Sequence, residues 1–336
     1  MKRIGNLYEK VCSIENLQLA DEKARKGKLR TYGVIEHDKK REVNLLKLRE
    51  TLLNGTFHTS KYDVFTIYEP KEREIYRLPY FPDRILHHAI MNVLEPIWVS
   101  TFTADTYSCI KNRGIHAAAK KVKQALREDP EGTTFCLKLD IRKFYPSINH
   151  DVLKSILRRK LKDKRLLRLL DEIIDSADGV PIGNYLSQYF ANLYLTYFDH
   201  WIKEQKRVKH YFRYADDIVI LASDKSYLHS LMGEIRAYLG DLKLEVKGNW
   251  QVFPVAARGI DFVGYVFFHT HTRMRKGIKK TFYRRLAKLN KRKRPLSEKD
   301  FKQAICPWWG WAKSCDSKHL IKKLSKTSKY EIKFKR

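Results

Sequence analysis

The sequence has no apolar stretch long enough to cross a membrane. Its hydrophobic runs fall well short of the roughly 20 residues that a bilayer requires. Met1, Lys2 and Arg3 lead into no apolar segment typical of a signal peptide. These absences argue against a membrane protein or an exported one, so we expect a cytoplasmic protein with no membrane partner.

Cysteine is scarce and scattered. The five cysteines form no Cys-x-x-Cys pair and have no metal-ligand spacing with histidine; they are Cys12, Cys109, Cys136, Cys306 and Cys315. This pattern argues against a disulfide scaffold or a structural zinc site and predicts reduced thiols. The neighbouring His87 and His88 lack further ligands nearby, so a packed pair is favoured over a metal site.

Acidic residues are few relative to basic ones. The 336 residues include 68 Lys and Arg against 38 Asp and Glu, which gives a formal charge of +30. With 43% hydrophobic and 12% aromatic residues the chain is globular and long enough for two or three subdomains. So large a positive excess on a folded chain indicates a polyanionic partner, of which nucleic acid is favoured over an acidic membrane. Charge alone does not separate an enzyme from a histone-like binder.

Apolar periodicity divides the chain into alternating helical and extended segments. Spacings of three and four predict helices within residues 1–55, 83–98, 115–126, 153–174, 186–201 and 228–239. Alternation predicts strands within residues 56–80 and at 135–140, 211–214, 218–221, 242–246 and 261–268. Mixed helix and strand of this kind predict an α+β fold.

Carboxylates end two of the predicted strands. The strand that begins at Phe135 ends in Asp140, and a predicted hairpin carries Asp216 and Asp217 at its tip, within Tyr-Ala-Asp-Asp. Adjacent aspartates at a turn are common and usually only solvated. Three carboxylates from neighbouring strands, however, repel one another unless divalent cations neutralise them. Nucleotidyl transfer uses such a set with two Mg²⁺ ions roughly 4 Å apart, so we predict that Asp140, Asp216 and Asp217 are catalytic and bind two Mg²⁺ ions.

Basic residues crowd the chain from His271 onward, followed by the aromatic segment Pro-Trp-Trp-Gly-Trp that ends at Trp311. A solvated face or a localisation signal would explain the basic run alone. Its position after the acidic strands favours contact with a nucleic-acid backbone. The residues predicted to make that contact are Lys279, Lys280, Arg284, Arg285, Lys288 and Arg292.

The order of the motifs resembles that of the fingers–palm–thumb reverse transcriptases over roughly residues 60–270. An acidic strand precedes a Gly-x-Pro-x-Gly turn at 179–183, the Tyr-x-Asp-Asp hairpin and Phe-Val-Gly-Tyr at 262–265. The resemblance implies an α+β right-hand polymerase: the palm an antiparallel sheet backed by helices, the thumb short, basic and helical. It assigns 1–55 to an N-terminal helical extension, 56–132 to fingers, 133–270 to palm with a fingers insertion near 149–178, and 271–336 to the basic thumb.

The same resemblance implies roles around the acids. Asp140 and Asp216 would be the main metal ligands and Asp217 the third acid, with the carbonyl of Ile141 completing the shell of one Mg²⁺. The ring of Tyr145 would lie beneath the sugar and exclude a ribose 2′-hydroxyl. The expected ligands are therefore deoxynucleoside triphosphates, a template RNA and the RNA/cDNA duplex.

Further residues take implied roles at the nucleotide and the primer. Lys71 and Arg73 would hold the incoming triphosphate. Ile182, Gly183 and Gln188 belong to the turn and helix of the nucleotide-binding site. The primer grip would consist of Val263, Gly264 and Tyr265, with Gly264 allowing the backbone to approach the primer terminus.

Two departures from the common family pattern resemble the reverse transcriptases of diversity-generating retroelements. Ile182 stands where most members have glutamine, and Ser187 with Gln188 stands where they have Ser-Pro. That group copies a template-repeat RNA into cDNA with errors at adenines, and a pentameric accessory variability protein is the implied partner. An isoleucine makes only apolar contact with the nascent base pair. A mispair there therefore loses less binding free energy relative to a correct pair.

Two alternative functions and one catalytic role stay open. A stand-alone defence or retron-like reverse transcriptase is an alternative, although those enzymes usually keep the ordinary residues at both departures. A non-catalytic nucleic-acid-binding protein on a polymerase fold is another, although all three acids are present. Trp250 occupies the place where many relatives have a lysine that acts as general acid, and Lys247 is a possible substitute.

Overall fold

Helices and strands fill most of the chain that the computed structural model describes, namely residues 3–68, 72–330 and 332. In that part the α-helices are α1 (Tyr8–Cys12), α2 (Ile14–Ala24), α3 (Tyr32–Asp38), α4 (Arg41–Leu53), α5 (Ile85–Val99), α6 (Ile115–Glu128), α7 (Phe144–Ser147), α8 (His150–Lys160), α9 (Lys164–Asp175), α10 (Tyr185–Tyr194), α11 (Thr196–His200), α12 (Lys225–Asp241), α13 (Val255–Arg258), α14 (Lys276–Asn290), α15 (Glu298–Lys313) and α16 (Lys318–Thr327). The strands there are β1 (Asp63–Ile67), β2 (Arg73–Arg77), β3 (Phe135–Asp140), β4 (His210–Tyr214), β5 (Asp217–Ala222), β6 (Gln251–Pro254), β7 (Ile260–Phe262), β8 (Tyr265–Phe267) and β9 (Thr272–Met274). Each of the described helices is too short or too polar to span a bilayer.

The chain forms two units, each packed around its own residues. The first contains Met1–Cys109, Ile141–Lys206 and Ile235–Lys247, and the second contains Ile110–Asp140, Arg207–Glu234 and Gly248–Arg336. Each unit therefore draws on three separate stretches of sequence, and the three predicted catalytic acids all fall in the second.

Helix α5 is the centre of the first unit. Ile85, Leu86, Ala89 and Ile90 are buried on successive faces of it, and α1, α2 and α10 pack against it. A helix that is apolar nearly all round must be covered on most sides, which explains why the helices of the N-terminal segment surround it. The helical character predicted for residues 1–55 is confirmed by α1 to α4.

A four-stranded antiparallel sheet forms the framework of the second unit. Its order is β4-β5-β3-β6, and α6 packs against β4. Strand β5 lies between two neighbours, and its residues Ile218, Val219 and Ile220 are all fully buried. Because consecutive residues of a strand point to opposite sides, both faces of β5 are covered, which explains a continuous apolar run in place of simple alternation.

The strand predicted over residues 261–268 is wrong, because the segment is a hairpin. Strands β7 and β8 pair with Phe262 opposite Tyr265, and β9 adds a third strand. The two residues between them, Val263 and Gly264, have φ of 40° and 85°. Positive φ at both central residues is the geometry of a type I′ turn. The alternating pattern hid this turn because valine is unfavourable there.

Two other segments differ from the prediction. Residues 242–246 form no strand: α12 ends at Asp241, Val246 makes an isolated bridge with Ile141, and the edge strand is β6. The single helix predicted over 186–201 breaks at Leu195 into α10 and α11. Leu195 is buried like its helical neighbours, so the apolar stripe continues through the break and gives no sign of it.

Candidate active site

Two of the predicted catalytic acids lie directly opposite each other in the sheet. Asp140 is the last residue of β3 and Asp217 the first of β5, and the register pairs them. Residues paired in this way have their Cβ atoms about 4.5–5.5 Å apart. Asp216 precedes Asp217 in the turn from β4. The three acids therefore occur at one end of one sheet, as the sequence predicted.

A buried arginine supports the turn that holds the acids. Tyr214 pairs with Asp217, so Ala215 and Asp216 form a two-residue turn, with Ala215 at φ 54°. A non-glycine residue in the left-handed region is strained. Arg213 is 0% exposed, and its Nη1 donates to the carbonyl of Ala215 at 3.2 Å. No role was predicted for Arg213, although a charged residue in an apolar strand was a usable signal.

The carboxylate of Asp217 lies in an unusual electrostatic setting. Its side chain is 23% exposed, but its Oδ1 is buried and has no hydrogen-bond partner among the described residues. Nζ of Lys138 lies 3.6 Å from that oxygen. Burial raises the pKa of Asp217 to about 7; Lys138 opposes the rise, and the charges of Asp140 and Asp216 add to it.

This donor set suits a hard divalent cation in its chemistry. Carboxylate oxygens are the ligands that Mg²⁺ prefers, and the buried Oδ1 of Asp217 has no other partner in the described chain. Within residues 3–68, 72–330 and 332, no three His, Cys, Asp or Glu side chains are already arranged as a metal site. Ile141, the implied carbonyl ligand, has a buried side chain and belongs to the first unit. The metal ligands Asp140, Ile141, Asp216 and Asp217 therefore stay a prediction.

A cleft of about 470 Å³ opens beside Asp140 in the second unit. Strands β3 and β6 line it together with the hairpin β7–β8; the lining residues include Lys138, Asn249, Gln251, Arg258 and Asp261. Arg258 lies 3.8 Å from the ring centroid of Phe253 and donates a hydrogen bond to Gln251. A polar, partly basic surface thus leads up to the acids.

The primer-grip residues form a turn that is packed from one side. A Cβ at Gly264 would lie 2.3 Å from the ring of Trp311. Tyr265 is fully buried, its ring lies 5.0 Å from that of Trp311, and its hydroxyl donates to the Trp311 carbonyl at 3.3 Å. The steric need for glycine at 264 therefore comes from Trp311 as well as from φ. Whether this turn approaches a primer stays a prediction.

The nucleotide-binding candidates belong to the first unit. Lys71 lies outside the described residues, and Arg73 is exposed at the start of β2. Tyr145 is half-buried and meets Phe144 edge to face, with ring centroids 5.8 Å apart. Gln188 is exposed on α10.

The segment from Gly179 to Gly183 connects two of these candidates. The Val180 N–H donates to the Tyr145 carbonyl at 2.9 Å, and the Tyr76 N–H in β2 donates to the Ile182 carbonyl at 2.8 Å. At Gly183, where φ is 127°, a Cβ would lie 2.6 Å from the Tyr76 carbonyl oxygen. The structure therefore brings Tyr145, Ile182 and Gly183 into one hydrogen-bonded arrangement with β2.

The histidine pair is packed, as predicted. His87 is buried, and His88 stacks on Tyr185 with ring centroids 4.4 Å apart. Burial lowers the pKa of His87 to about 3 and that of His88 to about 4. Both rings are therefore neutral at physiological pH.

Helix α14 presents a basic face. Phe282, Leu286 and Leu289 are buried, α15 packs against the helix, and Phe282 stacks on Trp308 with ring centroids 5.8 Å apart. The predicted backbone-binding residues Lys279, Lys280, Arg284 and Lys288 are exposed, Arg285 is half-buried, and Arg292 is exposed just after the helix. Such a stripe suits a polyanion.

Solved structures define the class of fold. The chain is similar to a telomerase of Candida tropicalis, solved in complex with a fragment of telomeric RNA, at a TM-score of 0.50 and 12% identity over 82% of this chain and 56% of that one. With the antiparallel sheet and its helices, this confirms the predicted α+β right-hand polymerase fold.

The sequence places the chain within that class. Residues 69–267 match the family model described as reverse transcriptase (RNA-dependent DNA polymerase), so the chain belongs to this family. It is 26% identical over 279 residues to protein YkfC of Escherichia coli, covering 69% of this chain and 73% of that protein. It is 23% identical over 191 residues to the group II intron-encoded protein LtrA of Lactococcus lactis, covering 52% of this chain but only 31% of LtrA.

Proposed function

We propose that the protein is an RNA-directed DNA polymerase whose catalytic residues are Asp140, Asp216 and Asp217. The observation that carries the proposal is the register of the palm sheet, which pairs Asp140 with Asp217 beside the tight turn that holds Asp216. The family match and the formal charge of +30 support it, because a polymerase must hold a polyanionic duplex.

Each acid has a distinct part in this proposal. Two bound Mg²⁺ ions would activate a 3′-hydroxyl and neutralise the triphosphate. Asp140 and Asp216 would be the main ligands, and Asp217, whose Oδ1 is buried without a hydrogen bond in the described chain, would be the third acid of the ligand set. Asp140 and Asp216 are half-buried, which leaves them accessible to a ligand.

Loss of a single carboxylate tests the polymerase proposal. Asp216→Asn keeps the side-chain size but removes a charged oxygen ligand, so we expect incorporation of dNTPs on an RNA template to fall by at least about 100-fold. Primer extension by purified protein with Mg²⁺ measures this. Asp224→Asn is the matched control, since Asp224 is exposed at the start of α12 and asparagine also accepts the Ser226 N–H. Wild-type protein that folds but extends no primer would favour a non-catalytic nucleic-acid-binding role.

We infer further that the template is a template-repeat RNA of a diversity-generating retroelement, and that the cDNA carries errors at adenines. Ile182 and the Ser187-Gln188 pair support this. Ile182 is half-buried, and its backbone is fixed by the Tyr76 N–H. An apolar side chain held there gives no hydrogen bond by which a correct pair is favoured. A pentameric accessory variability protein would be the partner.

The side chain at position 182 is testable on its own. Ile182→Gln restores a hydrogen-bonding group, so we expect misincorporation opposite template adenines to fall several-fold. Sequencing of cDNA made on an adenine-rich RNA template, with and without the accessory protein, measures the error spectrum. Ile182→Leu keeps an apolar contact and serves as control. An unchanged adenine error rate in Ile182→Gln would count against the role of Ile182.

The relatives favour a second candidate, a reverse transcriptase of the intron-encoded kind. LtrA and nuclear intron maturase 4 of Arabidopsis thaliana match 52% and 46% of this chain. Such an enzyme would copy intron RNA without preferred errors at adenines. The same cDNA sequencing separates the two candidates, because only the first predicts an adenine-specific spectrum.

A further inference from the structure

Lys138 contacts two parts of the second unit that are far apart in sequence. It precedes Asp140 by two residues in β3, so both side chains lie on one face of the sheet. Its Nζ lies 3.6 Å from Oδ1 of Asp217 and donates a hydrogen bond to the carbonyl of Asp261 in β7. One ammonium group thus joins the hairpin β4–β5, which bears Asp216 and Asp217, to the hairpin β7–β8.

A second contact continues this connection. The carboxylate of Asp261 pairs with Arg275, whose Nη2 lies 2.5 Å from Oδ1. The Arg275 backbone N–H donates to the carbonyl of Gly264 at 3.0 Å, and Arg275 directly precedes α14. Lys138, Asp261 and Arg275 therefore link Asp217 to the turn at Val263 and Gly264.

The chemistry of Lys138 suits this double contact. An ammonium group has three donors on a compact charge, so it can serve a carboxylate and a carbonyl together. Its side chain is 24% exposed at the cleft beside Asp140. At that exposure solvent weakens the charge attraction only in part.

We infer that Lys138 is a positioning residue that fixes the hairpin bearing Asp216 and Asp217 to the hairpin β7–β8, the predicted primer grip, and so sets where a primer end lies relative to the acids. The inference rests on the proposed polymerase function for its catalytic consequence. The connection itself is a property of the fold, and it can be measured without catalysis.

The first experiment measures the connection by hydrogen–deuterium exchange. Lys138→Met keeps the length of the side chain but removes charge and donors, and we expect backbone amides in residues 260–267 to exchange faster while the melting temperature stays near that of the wild type. Lys138→Gln keeps a donor without charge and serves as the second variant if Lys138→Met does not fold. Lys120→Met, at an exposed position of α6 in the same unit, is the matched control. Unchanged exchange in a folded Lys138 variant would overturn the inference.

The second experiment measures the catalytic consequence. Displacement of reacting groups by about 1 Å costs on the order of 100-fold in rate, so we expect kcat for primer extension to fall about 10- to 100-fold in Lys138→Met. The KM for dNTP should stay within about twofold, because Lys138 acts on the acids and the primer turn. Lys138→Arg, which retains the charge and the donors, should recover much of the rate.

The outcomes separate the inference from the proposed function. A fall in kcat without faster exchange in residues 260–267 would assign Lys138 to the chemistry and overturn a positioning role. Faster exchange in a protein whose wild type extends no primer would support the connection and contradict the polymerase proposal. A rise in the KM for dNTP with unchanged kcat would also overturn the inference.

Discussion

Asp217 is the residue at which folding and the proposed function oppose each other. A buried carboxylate oxygen without a hydrogen bond destabilises a fold when it is charged. The sheet register nevertheless places Asp217 opposite Asp140, with Asp216 adjacent. Lys138 compensates only in part, because its Nζ is 3.6 Å away and also donates to Asp261. Such an arrangement is typical of a site kept for a charged ligand.

The raised pKa of Asp217 predicts how stability depends on pH. Its pKa is about 7 in the folded chain and 3.8 ordinarily, so between these values the folded state binds the proton more tightly. This contribution to stability is fully present below about pH 4 and is lost as the pH rises through 7. Without Mg²⁺, we therefore expect Asp217→Asn to be more stable than wild type at pH 8 by roughly 1–3 kcal/mol.

Thermal unfolding from pH 5 to pH 8 measures this difference, and subtracting the two curves removes titrations common to both proteins. Addition of Mg²⁺ at pH 8 should raise the melting temperature of the wild type more than that of Asp217→Asn, since a ligand stabilises the state it binds. Parallel curves for the two proteins would show that burial does not shift the pKa of the Asp217 carboxyl group.

At the scale of elements, apolar periodicity predicted the positions of many helices and strands, but it predicted little about the turns between them. Strand β3 has the predicted bounds, and α6 extends the predicted helix by only two residues. The turn at Val263 and Gly264 was not predicted, because valine at positive φ runs against local propensity and the close approach of Trp311 to Gly264 joins residues distant in sequence.

In the candidate site, too, some features could be predicted from the sequence and others could not. The acids follow from the ends of strands and from the order of motifs, so they could be read from the sequence. The supporting contacts could not, because they join distant residues: Lys138 and Asp261 are 123 positions apart. Sequence patterns report local periodicity, whereas these contacts depend on how β3, β7 and α14 meet within the second unit.

The close packing of the turn between β7 and β8 can be tested by a substitution at Gly264. Gly264→Ala would place a Cβ 2.3 Å from the ring of Trp311 at a φ of 85°, so we expect a loss of unfolding free energy of about 2–4 kcal/mol. Gly277→Ala in α14 is the control, because a Cβ there meets nothing within 4 Å and alanine favours a helix.

Chemical denaturation measures both variants of this turn prediction. The double variant Gly264→Ala with Trp311→Leu makes room for the added methyl group, so the second substitution should cost less in that background than in the wild type. Equal stability of Gly264→Ala and Gly277→Ala would mean that the turn adjusts without strain.

At the scale of the whole molecule, the charge of +30 is distributed over more than one surface. Basic residues occur in both units, including Arg25 and Arg41 around the buried Asp21. Those that are already paired with carboxylates contribute less to binding a polyanion. Helix α14 differs because Lys279, Lys280, Arg284 and Lys288 are all exposed outside its buried stripe, so a measurable share of the affinity for a duplex should come from this helix.

The salt dependence of duplex binding tests how much of the affinity comes from α14. The variant with Lys279, Lys280, Arg284 and Lys288 all changed to Gln removes four exposed charges from α14. Each lost phosphate contact should reduce the slope of log K against log salt by about 0.7–0.9, so we expect a slope smaller by up to about 3.6 for an RNA/DNA duplex. A control with Lys26, Lys40, Lys47 and Arg49 changed to Gln removes the same charge from exposed positions of the first unit. Fluorescence anisotropy titrations at several salt concentrations measure both. Equal losses in the two variants would mean that the net charge attracts nucleic acid as a general field, whereas a loss confined to the α14 variant would identify this helix as the surface that contacts the duplex.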